Sequence, residues 1–507
     1  MNNLGSDIED ICVEDLEKTV EPIPQIRITH QSVCEELQEI DVAGDCIIPE
    51  KYKLWIITFG CAHNFADGEY MKGILSDYGF QFAENRDEAS LWVLNSCTVK
   101  DPSEIVFRNY VTEAKEKNKM VVVAGCVPQA DSDASWLRDL SILGVKQIHR
   151  IVEVVEETLK GNTIHLLSLK ELPPLDLPKI RRDPHIEIVP ISEGCLGHCT
   201  YCKTQYARGK LMSYPLQSII NRLRAAFDEH VFEVWLSSED TGAYGIDRGL
   251  SIADLLKEIP SVIPDQSNTM VRLGMTNPPY VLSHLKEVAA FLRHPNVFSF
   301  IHIPVQSGSN AVLNTMQRQY TVEQFTSIVD YLLKEVPGLT IATDIIIGFA
   351  SETDEDHKQT MDLLKKYQFP VVNISKFFPR PGTPAARMKH ISSSIVKERS
   401  SECSAWFKSL NPYQHFLGKV ELVWVGSETS REFMVGHTKA YVKVLLPMCE
   451  SLRGKRVAAK ITQITRFHVV GEIVDANPPS IAEHFSPDEL ATYMASLYLI
   501  VGCKQVS

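Results

Sequence analysis

At 507 residues the chain is too long for one hydrophobic core and calls for two to four domains. The net charge of −13 is misleading, because residues 1–50 hold 13 acidic side chains against Lys18 and Arg27 and leave the rest nearly neutral. Twelve scattered cysteines lack the density of a small secreted disulfide scaffold, and the acidic start fits neither a secretory leader nor a transit peptide.

In chain order, residues 1–51 read as an acidic mobile tail. From 52 to 160 the apolar runs 54–58, 91–94 and 120–124 alternate with helical patterns at 67–78 and 102–117, which predicts a doubly wound parallel sheet. Residues 161–180 carry Leu172-Pro-Pro-Leu-Asp-Leu-Pro178 and read as a linker, with basic Lys179, Arg181 and Arg182 at its end.

Between 181 and 412 strand runs recur at 186–191, 233–237, 271–275, 298–303, 339–347 and 371–376, separated by helical stretches such as 281–293 and 322–335. Thr353-Asp-Glu-Asp356 is a capping-box variant opening another helix. Six βα units are too few for an eight-stranded barrel. From 412 to 474 the runs 420–425, 440–446, 456–461 and 468–473, punctuated by Gly436, Gly454 and Gly471, predict a small five-stranded barrel. Lys439, Lys443, Arg453, Lys455 and Arg456 are its candidates for tracking a phosphate backbone. In the tail 475–507, the apolar stretch 491–503 is shorter than the ~20 residues of a spanning helix and reads as a packing helix.

The most specific chemistry lies in Cys195-Leu-Gly-His-Cys199-Thr-Tyr-Cys202. Three thiols at this spacing suit three irons of a [4Fe-4S] cube, and the run follows a strand, where a βα loop places catalytic groups. The bland alternative is a zinc knot with His198 as fourth ligand. Cys61, Cys97 and Cys126 each fall just past a strand of the first sheet, whose carboxyl edge would bring all three to one site. Buried cysteines serving as small hydrophobes are the alternative there.

The triplet, with Tyr201 ahead of Cys202, resembles the signature of radical S-adenosylmethionine (SAM) enzymes. In that superfamily the open iron is chelated by SAM, and an electron from the cube cleaves the sulfonium to a 5′-deoxyadenosyl radical. By the same resemblance, Glu239 in Ser237-Ser-Glu-Asp240 accepts the SAM ammonium; Tyr201 and Arg208 are further candidate cofactor contacts, Arg208 because a guanidinium suits a carboxylate or phosphate. Arg318 is a candidate for carboxylate or phosphate contact. Thr58-Phe-Gly-Cys61-Ala-His-Asn64, Asn95-Ser-Cys97-Thr-Val and Ala124-Gly-Cys126-Val-Pro-Gln129 resemble the three cysteine boxes of methylthiotransferases. Asp240-Thr-Gly-Ala-Tyr-Gly245, Gly274-Met-Thr-Asn-Pro278 and His302-Ile-Pro-Val-Gln-Ser-Gly308 resemble further boxes of that family. Gly348-Phe-Ala-Ser-Glu352 departs from the usual Gly-Phe-Pro-Gly-Glu, which alters turn stiffness and removes no ligand.

The order of these segments, together with Cys61-Ala-His-Asn64 in place of the Cys-Gln-Met-Asn of isopentenyladenosine enzymes, resembles the eukaryotic and archaeal threonylcarbamoyladenosine tRNA methylthiotransferases. The resemblance implies an α/β chain with a doubly wound N-terminal sheet, a radical SAM (β/α)6 partial barrel and a C-terminal OB-like TRAM barrel. It implies two [4Fe-4S] clusters, on Cys195, Cys199 and Cys202 and on Cys61, Cys97 and Cys126, with SAM as cofactor. The implied reaction takes N6-threonylcarbamoyladenosine at tRNA position 37 to its 2-methylthio derivative. The unactivated C2–H of adenine requires a radical, and the second cluster would carry the sulfur. Beyond the clusters no catalytic residue is assigned.

Implied partners are the tRNA anticodon stem-loop, an electron-donor reductase and a sulfur donor, with no DNA. The location is expected to be cytoplasmic, with attachment to the endoplasmic reticulum surface left open. Three alternatives stay open: isopentenyladenosine as the substrate, a ribosomal-protein aspartate as the substrate, or a zinc-dependent RNA-binding module without catalysis.

Overall fold

The computed structural model describes residues 47–98, 101–264 and 267–478. The apolar stretch 491–503 and the expected acidic tail up to residue 46 lie outside them. Residue 47 is already packed: Ile47 lies against the first core. Among the described residues no helix is long and apolar enough to cross a membrane.

Strands β1 (Lys53–Thr58), β2 (Gln81–Phe82), β3 (Leu91–Ser96), β4 (Met120–Gly125), β5 (Ser141–Leu143) and β6 (His165–Leu166) form one sheet in the order β2-β1-β3-β4-β5-β6. All five pairings are parallel. Both faces are covered, so the strands read as continuous apolar runs. In β3, Leu91 and Val93 enter the core under helix α1 (Ala62–Tyr78), while Trp92 and Leu94 enter the opposite core with Phe107 of helix α2 (Asp101–Glu116). Helix α3 (Cys126–Ala130) follows β4, and helix α4 (Ile151–Leu159) packs beside α1. The short strands β2, β5 and β6 are absent from the predicted pattern, since two or three residues carry no legible period.

The predicted linker does not hang free. Tyr70 Oη donates to Leu175 O at 3.0 Å, and the Ile180 amide donates to Glu69 O at 3.0 Å. Lys179 is buried between Glu187 (2.9 Å) and Glu69 (3.2 Å). Arg181 bonds Glu187 and Glu229, and Arg182 lies over Phe65. Lys179 therefore bolts the first sheet unit to the next one and Arg181 is spent on carboxylates, whereas Arg182 stays exposed.

The second unit contains β7 (Ile186–Pro190), the small antiparallel pair β8 (Ser192–Glu193) and β9 (Met212–Ser213), then β10 (Glu233–Ser237), β11 (Met270–Leu273), β12 (Phe300–His302), β13 (Thr340–Ile347) and β14 (Val371–Lys376). Six of these form two three-stranded parallel sheets, β11-β10-β7 and β12-β13-β14, matching the six predicted runs. Backbone bonds from Phe298 to Val271 (2.9 Å) and from Thr276 to His302 (3.0 Å) join the sheets. Among the described residues β14 does not pair back to β7, so the arc of strands stays open on that side. Helices cover its outer surface through one extended core that includes Leu223, Leu292, Phe325 and Leu364. Thr353 and Asp356 exchange the expected capping bonds, at 2.9 and 3.2 Å.

Strands β15 (Val420–Ser430), β16 (Phe433–Thr438), β17 (Lys443–Pro447), β18 (Arg456–Ile464) and β19 (Val469–Asp475) close into a barrel in the order β15-β16-β17-β19-β18. The predicted runs omit β16, because Gly436 reads as punctuation between strands. It is a strand residue: a Cβ there would lie 2.6 Å from Trp424 O, so only glycine lets β16 approach β15. The barrel is packed on the open arc. Trp424 and Tyr441 share a core with Phe298 and Phe300, and Arg272 sits within 5.4 Å of the Trp235, Phe300 and Tyr441 ring centroids. Burying each such aromatic contributes about 1.5–3 kcal/mol.

The barrel's basic residues depart from expectation. Lys439 donates to the carbonyls of His294 and Val297, Lys443 pairs with Glu428, and Arg453 pairs with Glu450. Arg456 is buried beside Trp424. Of the five, Lys455 is the one left exposed.

Candidate active site

Strands β1, β3 and β4 are neighbours, and Cys61, Cys97 and Cys126 all sit just past their carboxyl ends. The convergence is tight. Gly60 has φ +107, and a Cβ on it would lie 2.6 Å from Cys97 Sγ, so this turn demands glycine. The Cys61 thiol hydrogen-bonds Cys97, and this bond and burial push its pKa well above the ordinary thiol range. Burial, helped by Cys61 and Glu239 and opposed by Arg208, pushes Cys126 up to about 12. Such thiols ionise only with a cation brought to them.

The second set lies on the loop after β8. Cys195 Sγ accepts from the Gly197 amide at 3.2 Å, Cys202 Sγ from the Thr204 amide at 3.3 Å, and Cys199 Sγ from Arg318 Nη1 at 3.1 Å. Each of the three sulfurs carries an N–H donor, although burial still pushes the Cys195 thiol up to about 12. His198 is exposed and bonds Gln205 at 3.1 Å, so the zinc reading loses its expected fourth ligand.

Both cysteine sets line one cavity of about 810 Å³. Two features position them there: the linker bolt and a buried ionic network. Arg208, on helix α5 (Thr204–Arg208), is 1% exposed and reaches Asp67 of α1 (2.6 Å), Glu193 (3.4 Å) and Glu239 (3.2 Å). His63 lies 3.6 Å from both Glu193 and Glu239. Burial opposes a charge on His63, but Glu239 and Glu193 outweigh it and raise the imidazole to about 9. Burial lifts Asp67 to about 6 against the pull of Arg208. One ligand atom each of His63, Asp67 and Glu193 falls within 4.8 Å of the others, yet Arg208 already pairs with both carboxylates, so the group is an ion-pair network.

Among the cofactor candidates, Glu239 borders the cavity at the end of β10, and its Oε2 is buried with no hydrogen-bond partner. That is an acceptor left open toward a ligand. Arg208 also borders the cavity, but it is enclosed by carboxylates. Tyr201 lines the wall with its ring edge-on to Phe349, and its Oη accepts from Arg318 at 3.4 Å.

Several contributors escaped sequence reading. Asp67 and Glu193 gave no signal, since each looks like any surface acid until its partners are known. Asn277, which bonds Asp240 and Arg318, and His302 lay inside quoted motifs without an assigned role, and Asp344, 2.8 Å from His302, lay in a strand run.

Comparison with known proteins fits this geometry. Residues 53–140 match the family model "Uncharacterized protein family UPF0004", and 189–364 match the "Radical SAM superfamily". A threonylcarbamoyladenosine tRNA methylthiotransferase of Homo sapiens is 45% identical over 508 residues, covering 97% of this chain and 87% of its own. The protein of that name from Drosophila pseudoobscura pseudoobscura is 50% identical, covering 85% of this chain and 79% of its own. The chain belongs to the threonylcarbamoyladenosine tRNA methylthiotransferase family. Family members reach beyond animals: a relative from Pyrococcus abyssi is 38% identical, covering 83% of this chain and 99% of its own.

Proposed function

We propose that this methylthiotransferase converts N6-threonylcarbamoyladenosine at position 37 of tRNA to its 2-methylthio derivative by radical SAM chemistry. The observation that carries the reading is the meeting of two three-cysteine sets at one cavity in a chain of this family. The donor sets fit two [4Fe-4S] clusters: each offers three thiols, the number that leaves one iron of a cube open. Glu239 Oε2 fits the ammonium of SAM as a charge-assisted acceptor. When bound, the Cys195–Cys202 cluster and SAM supply a carbon radical able to take hydrogen from an unactivated C–H, and the second cluster supplies sulfur.

The chain's own residues hold these parts in register. Arg318 and the amides of Gly197 and Thr204 offset charge on the three sulfurs. Asp240, pushed up to about 6 by burial despite two bonds from Asn277, orients Asn277 toward Arg318. Arg208 and His63 fix Glu239 at Oε1 and leave Oε2 for the ligand. A cavity of about 810 Å³ is within the range that takes a cofactor with a nucleoside.

The closed five-stranded barrel supports reading residues 412–474 as an OB-like TRAM domain that grips the tRNA backbone. A reductase and a sulfur donor complete the proposed partners, since both clusters need electrons and the product gains a sulfur. The proposed site of action is the cytoplasm.

The test is anaerobic reconstitution with SAM and reductant on anticodon stem-loops bearing threonylcarbamoyladenosine or isopentenyladenosine, and on a ribosomal-protein substrate. Methylthio product on the first alone, read by mass spectrometry, is expected. Product on either other substrate and none on the first refutes the reading.

A further inference from the structure

The cavity has two chemically different walls. On the β7 side stand the cysteines, Glu239 and Asp240. The other wall comes from the edge strand β14, the segment following it and the helix Ser393–Ser409. No carboxylate from these later segments lines the cavity, whereas Lys376, Arg380 and Lys408 do. The helix turns the hydroxyls of Ser400 and Ser404 to it, four residues apart on one face, with the ammonium of Lys408 one turn further on. Phe378, 53% exposed, adds a free aromatic surface.

The individual cations differ. Arg208 and Arg318 are committed, to carboxylates and to Cys199 with Asn277. Lys376, the last residue of β14 and paired through its backbone with Ile347, is exposed, and its side chain has no hydrogen bond or ion pair to any described residue. Thus it stands at the rim of a catalytic cavity with its charge uncompensated. The substrate of the proposed reaction, on which this inference rests, differs from plain adenosine by a side arm ending in a carboxylate and a hydroxyl.

We infer that Lys376, with Arg380 beside it, receives the carboxylate of the threonylcarbamoyl arm and makes the enzyme selective for it. The serine pair suits the arm's hydroxyl, and Phe378 suits stacking of a base. An ammonium–carboxylate bond at a partly desolvated rim discriminates by about tenfold or more. An arm lacking the carboxylate leaves that gain unrealised.

The test uses the full chain with its clusters reconstituted anaerobically. Two anticodon stem-loops are compared, one with threonylcarbamoyladenosine and one with the same arm lacking only the carboxylate. Methylthiolation kcat/KM is measured for wild type, Lys376→Met and Lys376→Arg. Wild type is expected to prefer the carboxylate substrate by about tenfold. Lys376→Met should lose that preference while acting on the carboxylate-free substrate much as wild type does, and Lys376→Arg should restore most of it. Equal losses by Lys376→Met on both substrates overturn the carboxylate site and leave the reaction standing. A wild type that cleaves SAM but forms no methylthio product from the first substrate overturns the reaction, and the carboxylate site falls with it.

Discussion

Arg208 Nη2 lies 2.6 Å from Asp67 Oδ2, and this one bond ties the helix behind Cys202 to the helix behind Cys61. The two cysteine sets face each other because of it and because of the Lys179 bolt. A buried guanidinium shared by three carboxylates is hard to replace, since removing it strands charge in a dry site. Arg208→Met should cost about 3–5 kcal/mol of stability. Arg208→Lys should recover only part, because an ammonium lacks the fork that spans Asp67, Glu193 and Glu239. Denaturant midpoints of the three proteins check this, and equal midpoints would remove the network from the architecture.

Glu187 gives the bolt a pH dependence. Although burial disfavours its charge, Lys179, Arg222 and Arg181 hold its pKa down to about 2, below the ordinary 4.5. The folded value is lower than the unfolded one, so this stabilisation is present above about 4.5 and is lost as pH falls through about 2. Stability should therefore decline over that window, by a share on the order of 3 kcal/mol. Glu187→Gln, which strands Lys179, should lower stability at neutral pH and flatten this part of the acid profile. Unfolding free energy measured from pH 6 to 2 decides it; a Gln variant as acid-sensitive as wild type would show that the bolt is not the titrating element.

The two cysteine sets lie on separate units and should load independently. Anaerobic wild type should approach about eight irons per chain, and the Cys195→Ala/Cys199→Ala/Cys202→Ala protein about half of that. The Cys61→Ala/Cys97→Ala/Cys126→Ala protein should still yield 5′-deoxyadenosine under reduction but no methylthiolated RNA. Iron and sulfide assays with product chromatography read both results. A folded first variant that loses nearly all iron, or persistent methylthio product from the second, would contradict the assignment.

Cutting the barrel away is a poor probe of RNA binding, because it would bare Phe298 and Phe300 of the core. Charge removal is cleaner. Lys419, Arg431 and Lys455 are exposed on the barrel. If they meet phosphates, the triple alanine variant should bind an anticodon stem-loop more weakly, with a log–log salt slope shallower by up to about three. Salt-titrated binding checks this, and an unchanged slope moves the RNA contact off these residues.

How much of this was legible in the sequence depended on distance along the chain. Cys195, Cys199 and Cys202 need only a short loop to share a centre, so their spacing alone pointed to a three-thiolate site. The meeting of Cys61, Cys97 and Cys126 was also legible, because parallel strands put their carboxyl ends on one edge and β1, β3 and β4 are strongly apolar. Glu239 could be singled out because its loop follows a recognisable strand and resembles the superfamily's glutamate-bearing loop.

Tertiary structure alone decided which charges are spent and which stay open. Arg208 and Asp67 are 141 residues apart, and no local pattern pairs them. The same holds for the barrel, where Lys443, a phosphate candidate by sequence, pairs with Glu428 across the sheet. A charge count cannot see a partner brought by folding. It could not tell Lys179, buried between two glutamates, from Lys376, exposed at the cavity rim, because the identity of a residue fixes its charge and only the packed chain fixes what that charge faces.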